Sequence, residues 1–148
     1  MKGFSFARPV ATLVLMAGLA GCQTVIFGTV TVDNSRPVPT SRLYPGPQPA
    51  DHEPAGRLSV LRDFNALADA CLARIYIDGV HRADLYTADR ATFRLAPGAH
   101  ELKLVVGGKL CVTALSLAPA EVVRTVMVEA DREVAYIVRS AGRFDPLP

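Results

Sequence analysis

The chain has 148 residues, which is room for one domain and a linker. Its 16 Lys and Arg against 14 Asp and Glu give a formal charge of +2. This near balance argues against a nucleic-acid-binding protein, which needs a basic surface to neutralise phosphates. With no Trp, four Tyr and six Phe, the core has to be built mainly from aliphatic side chains.

The N-terminus has the composition of an export signal. Lys2 and Arg8 give a basic start, and residues 9–19 form an apolar stretch. At about 1.5 Å per helical residue this stretch is too short for a hydrocarbon core about 30 Å thick. These features predict a cleaved signal peptide over residues 1–21. Losing Lys2 and Arg8 leaves 14 basic against 14 acidic residues, so the processed chain has no formal charge and no expected nucleic-acid partner.

The four residues Leu19-Ala20-Gly21-Cys22 resemble the lipobox of bacterial lipoprotein precursors. The resemblance implies cleavage between Gly21 and Cys22 and a diacylglyceryl group on the Cys22 thiol, because sulfur is the nucleophile that forms the thioether. Gln23 stands where Asp favours inner-membrane retention. This implies a lipid-anchored protein on the periplasmic side of the outer membrane, with the inner membrane left open. The alternative is that Cys22 is a buried cysteine at the end of an apolar helix.

The segment after the anchor, residues 22–56, reads as a tether. Residues 25–32 are rich in β-branched side chains and predict a possible strand. Residues 33–56 contain six prolines and little apolar content. Because proline lacks an amide donor and favours extended chain, this stretch predicts a semi-rigid spacer that reaches at most about 75 Å.

Residues 57–140 alternate between short β-rich runs and turn signals. The runs are residues 57–62, 74–78, 80–86, 91–95, 100–106, 110–117, 122–130 and 134–140. Asp78-Gly79, between the second and third runs, is a strong hairpin signal. The pattern predicts an all-β fold, a small antiparallel β-sandwich of about seven strands. The exceptions are residues 63–71, whose helical spacing predicts a short helical turn or an ordered loop, and residues 141–148, which are predicted to form a C-terminal tail.

Two short motifs within this region resemble the PEGA domain of small bacterial lipoproteins. They are the residues at 75–79, which read IYIDG, and those at 93–100, which read FRLAPGAH. The resemblance spans roughly residues 57–140 and implies a small β-sandwich. It departs from the family after the hairpin, where residues 83–86 read ADLY in place of a Gly-x-Thr-Pro element.

No recognised catalytic constellation, phosphate loop or dinucleotide motif is present, so we expect no enzyme, no cofactor and no metal site. The residues that could line a binding face are Tyr76, Tyr86 and His100. For His100 the alternative is a strand residue that bonds a backbone carbonyl. For the tyrosines the alternative is a strand residue whose ring packs against apolar side chains while its hydroxyl contacts water. A cluster of arginines with interspersed aspartates predicts a solvated face; it comprises Arg74, Arg82, Arg90 and Arg94 with Asp78, Asp84 and Asp89.

Cysteine usage predicts one disulfide. If Cys22 carries lipid, Cys71 and Cys111 remain as an even pair in an oxidising compartment. The alternative is two free thiols that behave as small apolar residues. A metal site is disfavoured because no histidine or further cysteine stands at ligand spacing.

Taken together, these features predict a membrane-anchored envelope lipoprotein whose non-catalytic β-sandwich is a structural or protein-interaction module with an envelope protein as partner. The alternative from a different class is a periplasmic binding module for a small molecule or glycan.

Overall fold

The computed structural model describes residues 27–28, 30–65, 71–107, 120–139 and 143–148. The export signal, the lipobox with Cys22, the run at 110–117 and Cys111 lie outside the described residues. Nothing in the described part of the chain is a helix long and apolar enough to cross a membrane.

Eleven strands and one 3₁₀ turn occur within the described residues. In chain order they are β1 Phe27–Gly28, β2 Arg36–Pro37, the 3₁₀ turn Thr40–Arg42, β3 Gly56–Arg62, β4 Phe64–Asn65, β5 Leu72–Ile77, β6 Val80–Leu85, β7 Asp89–Leu95, β8 Gly98–Gly107, β9 Ala120–Val128, β10 Glu133–Val138 and β11 Phe144–Pro146. Nine of them form two sheets, ordered β11-β10-β3-β7-β2 and β6-β5-β8-β9, while β1 pairs with β4. The predicted all-β sandwich is confirmed.

The core lies between the two sheets and follows from alternation along the strands. In β5, Ala73, Ile75 and Ile77 are buried while the residues between them are not. Leu102 and Leu104 of the neighbouring β8 are buried beside them. Because successive side chains of a strand point to opposite faces, one face of each strand supplies the core and the other meets solvent.

The strand pairing is not antiparallel throughout as predicted, because the five-stranded sheet is mixed. β10 runs parallel to β3, and β2 runs parallel to β7. The turn that precedes Glu133 does not close a hairpin; it carries the chain from β9 in one sheet to β10 in the other. Adjacent residues are buried in β10, where Ile137 faces a small cluster with Val30, and Val138 faces the main core. Burial on both faces is typical of parallel pairing.

The prolines of residues 33–56 do not make a free tether. Val38 is buried in the core, and Leu43 forms a β-bridge with Ala83. Arg94 donates hydrogen bonds to the carbonyls of Pro49, at 2.5 Å, and of Glu53, at 2.9 Å. Proline loses its amide donor but keeps its carbonyl acceptor, and arginine side chains of the sandwich supply the donors. This proline-rich segment is therefore part of the folded domain.

Three further boundaries differ from prediction. Phe64–Asn65 is strand β4 and not the start of a helical turn, while residues 66–70 lie outside the described part. Of the possible strand at 25–32, the described residues Phe27–Gly28 form β1 and pair with β4. Residues 144–146 of the predicted tail pair with β10, and Phe144 is buried. Runs of two or three residues are too short for alternation to reveal them in a sequence.

Candidate functional site

The two motifs of the family resemblance meet at one end of the sandwich. Asp78 and Gly79 form the β5–β6 turn with positive φ angles of 50° and 77°, as a tight hairpin requires. Asp78 donates its amide to the carbonyl of Glu101, and its Oδ1 accepts the Glu101 amide at 2.9 Å. Its Oδ2 lies 2.7 Å from His100 Nδ1. One aspartate therefore joins this hairpin to β8.

The His100 imidazole has an acceptor at each nitrogen, since Nε2 lies 2.8 Å from the Ala96 carbonyl. Burial alone would lower the pKa of His100, but the hydrogen bonds to Asp78 and Ala96 outweigh burial and raise it. For Asp78, burial would raise the pKa, yet the bonds from His100 and the Glu101 amide lower it. His100 therefore bonds a backbone carbonyl, as the alternative interpretation of this residue expected. Both ring nitrogens are engaged, so neither is free to exchange a proton with a substrate.

These shifts predict a pH dependence of folding stability. Because folding raises the pKa of His100, protonated His100 stabilises the folded state fully below its unfolded pKa of about 6.5. This stabilisation is lost as pH rises through the folded pKa. Because folding lowers the pKa of Asp78, ionised Asp78 stabilises the folded state fully above its unfolded pKa of about 3.8. This stabilisation is lost as pH falls through the folded pKa. Chemical denaturation of wild type should therefore show the pair's contribution, up to about 1 kcal/mol, to be largest between about pH 4 and 6.5.

His100→Gln should lower the stability at pH 5.5 and leave it nearly unchanged at pH 9. His52→Gln, at an exposed position of the proline-rich segment, is the matched control and should keep the wild-type profile. An equal loss for His100→Gln at both pH values would contradict the ion pair.

A groove of about 320 Å³ lies beside this pair, between the proline-rich segment and the sandwich. Its apolar walls come from both parts of the fold and comprise Pro47, Pro49, Ile77, Val80, Leu95 and Ala96. Arg82 and His100 also line it. His100 is thus the one predicted binding residue that borders this groove.

Tyr76 lies elsewhere, on the outer face of the four-stranded sheet. Its ring stacks on His81 with centroids 5.0 Å apart, and His81 stacks on Tyr44 at 4.2 Å. Lys103 Nζ lies 5.0 Å from the Tyr76 ring centre. Because His81 and Lys103 approach this ring, it does not offer the open platform that a sugar would need. The stack instead fastens Tyr44 of the proline-rich segment to β6.

Tyr86 borders a second groove, of about 430 Å³, together with Arg36, Arg42 and Asp89. The buried Asp89 accepts from Arg42 at 2.5 Å and from the Tyr86 amide at 2.8 Å. Arg42 also lies over the Tyr86 ring, 4.8 Å from its centre. The structure therefore places Tyr76, Tyr86 and His100 at three separate positions, and the single binding face predicted for them is not formed.

The arginine and aspartate cluster is not uniformly solvated as predicted. Arg82 is 3% exposed and Asp89 is 2% exposed. Arg82 is the extra residue of a β-bulge, since Tyr76 pairs with His81 while Ile75 pairs with Ala83. A bulge places two successive side chains differently from strict alternation. No signal in the sequence marks this bulge.

Cys71 is disulfide-bonded and 1% exposed. Its partner is outside the described residues, so the pairing with Cys111 stays a prediction. In the described part of the chain, no group of three or more His, Cys, Asp or Glu residues is placed to hold a metal ion.

Comparison with known protein families, curated proteins and solved structures finds no match to this chain. The lipobox and PEGA resemblances therefore stand on their motifs alone.

Proposed function

We propose that this chain is a non-enzymatic envelope lipoprotein, held to the membrane through Cys22, whose β-sandwich binds a protein partner along strand β9. The proposed anchor rests on the lipobox resemblance at residues 19–22. The proposed interaction rests on one structural observation: among the described residues, no strand pairs with the outer edge of β9.

β9 is the long uncovered edge among the described strands. It has nine residues and pairs only with β8 in the described part of the chain. The opposite edge of its sheet, β6, is covered where Leu43 bridges to Ala83 and the Tyr44 amide bonds the Arg82 carbonyl. The edges of the other sheet, β2 and β11, have two and three residues. Proteins usually protect long edges, because unpaired amides recruit further strands.

The orientation of the β9 amides follows from β8. The Glu101 backbone groups bond Asp78, so they face away from β9. Thr125 is the partner of Glu101 in the β8–β9 register. In an antiparallel pair such a position is non-hydrogen-bonded, and the N–H and C=O of Thr125 therefore point toward the open edge.

The side chains around Thr125 suit a protein contact. Val123 is 52% exposed and Met127 is 61% exposed. Thr125 stands between them, so three successive outward positions carry no charge that would repel an added strand. Main-chain pairing would supply affinity, and the exposed valine and methionine would contact alternate side chains of the partner.

Thr125→Pro tests this mode. Proline removes the edge-facing amide and leaves the bonds to β8, so the variant should fold, because proline is tolerated on edge strands. Capture of the partner from crosslinked envelopes should fall at least about tenfold. The control Thr125→Val keeps the amide and should capture as wild type does. Equal capture by folded Thr125→Pro and Thr125→Val would exclude strand pairing at β9.

The alternative function, a small-molecule binding module, is supported by the groove that Arg82 and His100 line. A glycan is less well supported as the ligand than another small molecule, because Tyr76 and Tyr86 do not line that groove.

A further inference from the structure

The Arg82 guanidinium has an unusual environment for a buried charge. Its described hydrogen bond is from Nη1 to the Pro47 carbonyl at 3.1 Å, and its Cζ lies 5.4 Å from the Phe93 ring centre. Arg82 Nε is buried without a hydrogen-bond partner. No Asp or Glu side chain lies within 4.0 Å of it in the described part of the chain.

A charge in this position is costly. Desolvation by burial lowers the pKa of Arg82, and Asp78 offsets this only in part. Arginine nevertheless stays protonated in proteins. Buried charges are normally paired, and one that lacks a partner destabilises the fold. A bound anion would supply the missing partner.

The acidic side chains at the groove are already engaged. Asp78 is bonded to His100 and to the Glu101 amide. Glu53 accepts from the amide of Ala50 at 2.8 Å. Arg82 is thus the groove's buried cation without an acidic partner, set among apolar walls that include Val80 and Leu95.

We propose that this groove binds a small organic acid, with its carboxylate at Arg82 and its apolar body against Val80, Leu95 and the prolines of the covering segment. The volume of about 320 Å³ is at the lower end of ligand pockets, which span about 300–1,000 Å³. Carboxylates are the groups that a guanidinium binds best, through charged and often bidentate hydrogen bonds. This site is independent of β9, which lies at the opposite edge of the four-stranded sheet.

The test is calorimetric titration of the purified full chain with phenylacetate and with phenylacetamide, its uncharged analogue. Wild type should bind the acid at least about tenfold more tightly than the amide, which is the difference expected of a charged hydrogen bond. Arg82→Met should bind the two ligands equally. Its melting temperature should equal or exceed that of wild type, because an unpaired buried charge is replaced by an apolar chain.

A second variant tests the apolar wall without touching the guanidinium. Val80→Phe should fill the groove and weaken phenylacetate binding at least about tenfold, while the control Val123→Phe on β9 should bind normally. Thr125→Pro should also bind normally, so failure at this groove is distinguishable from failure at β9.

Three results with phenylacetate and phenylacetamide would overturn the proposal. They are equal affinity of wild type for acid and amide, an unchanged preference for the acid in Arg82→Met, and normal binding by Val80→Phe. Much tighter binding of the peptide Gly-Gly-Phe than of phenylacetate, lost when its terminal carboxylate is amidated, would overturn it in favour of a protein C-terminus.

Discussion

Replacing Cys71 with Ser should lower the free energy of unfolding by about 4 kcal/mol. The bonded Cys71 is 1% exposed, and with Cys111 as partner it closes a loop of about 40 residues. The chain-entropy model gives about 4 kcal/mol for such a loop. Because whole domains have about 5–15 kcal/mol of stability, chemical denaturation should show the loss clearly.

The three cysteines provide matched controls. Cys111→Ser should cost the same as Cys71→Ser, and the double variant should cost no more than either, because all three break one bond. The proposed thioether at Cys22 would consume that thiol and leave Cys111 as the only other cysteine that Cys71 could bond. Wild-type stability of Cys111→Ser, or an alkylatable Cys111 in the unreduced protein, would contradict this pairing.

Cys22→Ser should either stay unprocessed or lose its detergent-phase partitioning almost completely. Serine lacks the sulfur nucleophile, so no diacylglyceryl group is added. Each buried methylene of an acyl chain contributes about 0.8 kcal/mol, and at least two chains are needed for stable anchoring. In any variant chain that is still cleaved, detergent-phase partitioning should therefore fall from nearly all of the wild type to a small fraction.

Cys111→Ser is the matched control for the anchor, since it also removes one thiol and should stay in the detergent phase. Normal cleavage between Gly21 and Cys22, with full detergent-phase retention of Cys22→Ser, would contradict lipidation.

The β5–β6 hairpin could be predicted because its signal is local. Asp78-Gly79 forms the predicted turn, and the strands around it, β5 and β6, follow the predicted runs closely. Alternation in β7 and β8 likewise places Phe93, Leu95, Leu102 and Leu104 in the core. Turn geometry and strand alternation depend on neighbouring residues, so one sequence is sufficient to reveal them.

The wrong predictions concern contacts between distant residues. The proline-rich segment is held by Arg94, about 40 residues away, which bonds its carbonyls. The parallel pairing of β3 with β10 joins Arg57 to Glu133, at opposite ends of the domain. In both cases the bonds involve backbone groups, which every residue has, so nothing in the local sequence identifies the distant partner.

The candidate site was predicted in part. His100 does border a groove, but Arg82, its neighbour there, was expected on a solvated face. Because aspartates lie close to Arg82 in the sequence, the pattern predicted a solvated face and not a buried arginine. The bulge that turns Arg82 inward has no sequence signal. The position of β9 at the edge of the described four-stranded sheet was likewise beyond prediction, since sheet order is set by the whole topology.

Site-specific photo-crosslinking in intact envelopes tests the proposed partner strand most directly. A photo-reactive residue replacing Met127, beside the open edge, should give one discrete protein adduct that disappears when Thr125→Pro is added. The same probe replacing Arg57, a residue of β3 whose side chain is 65% exposed, should not give that adduct. No protein adduct from Met127, or identical adducts from both positions, would contradict a partner bound along β9.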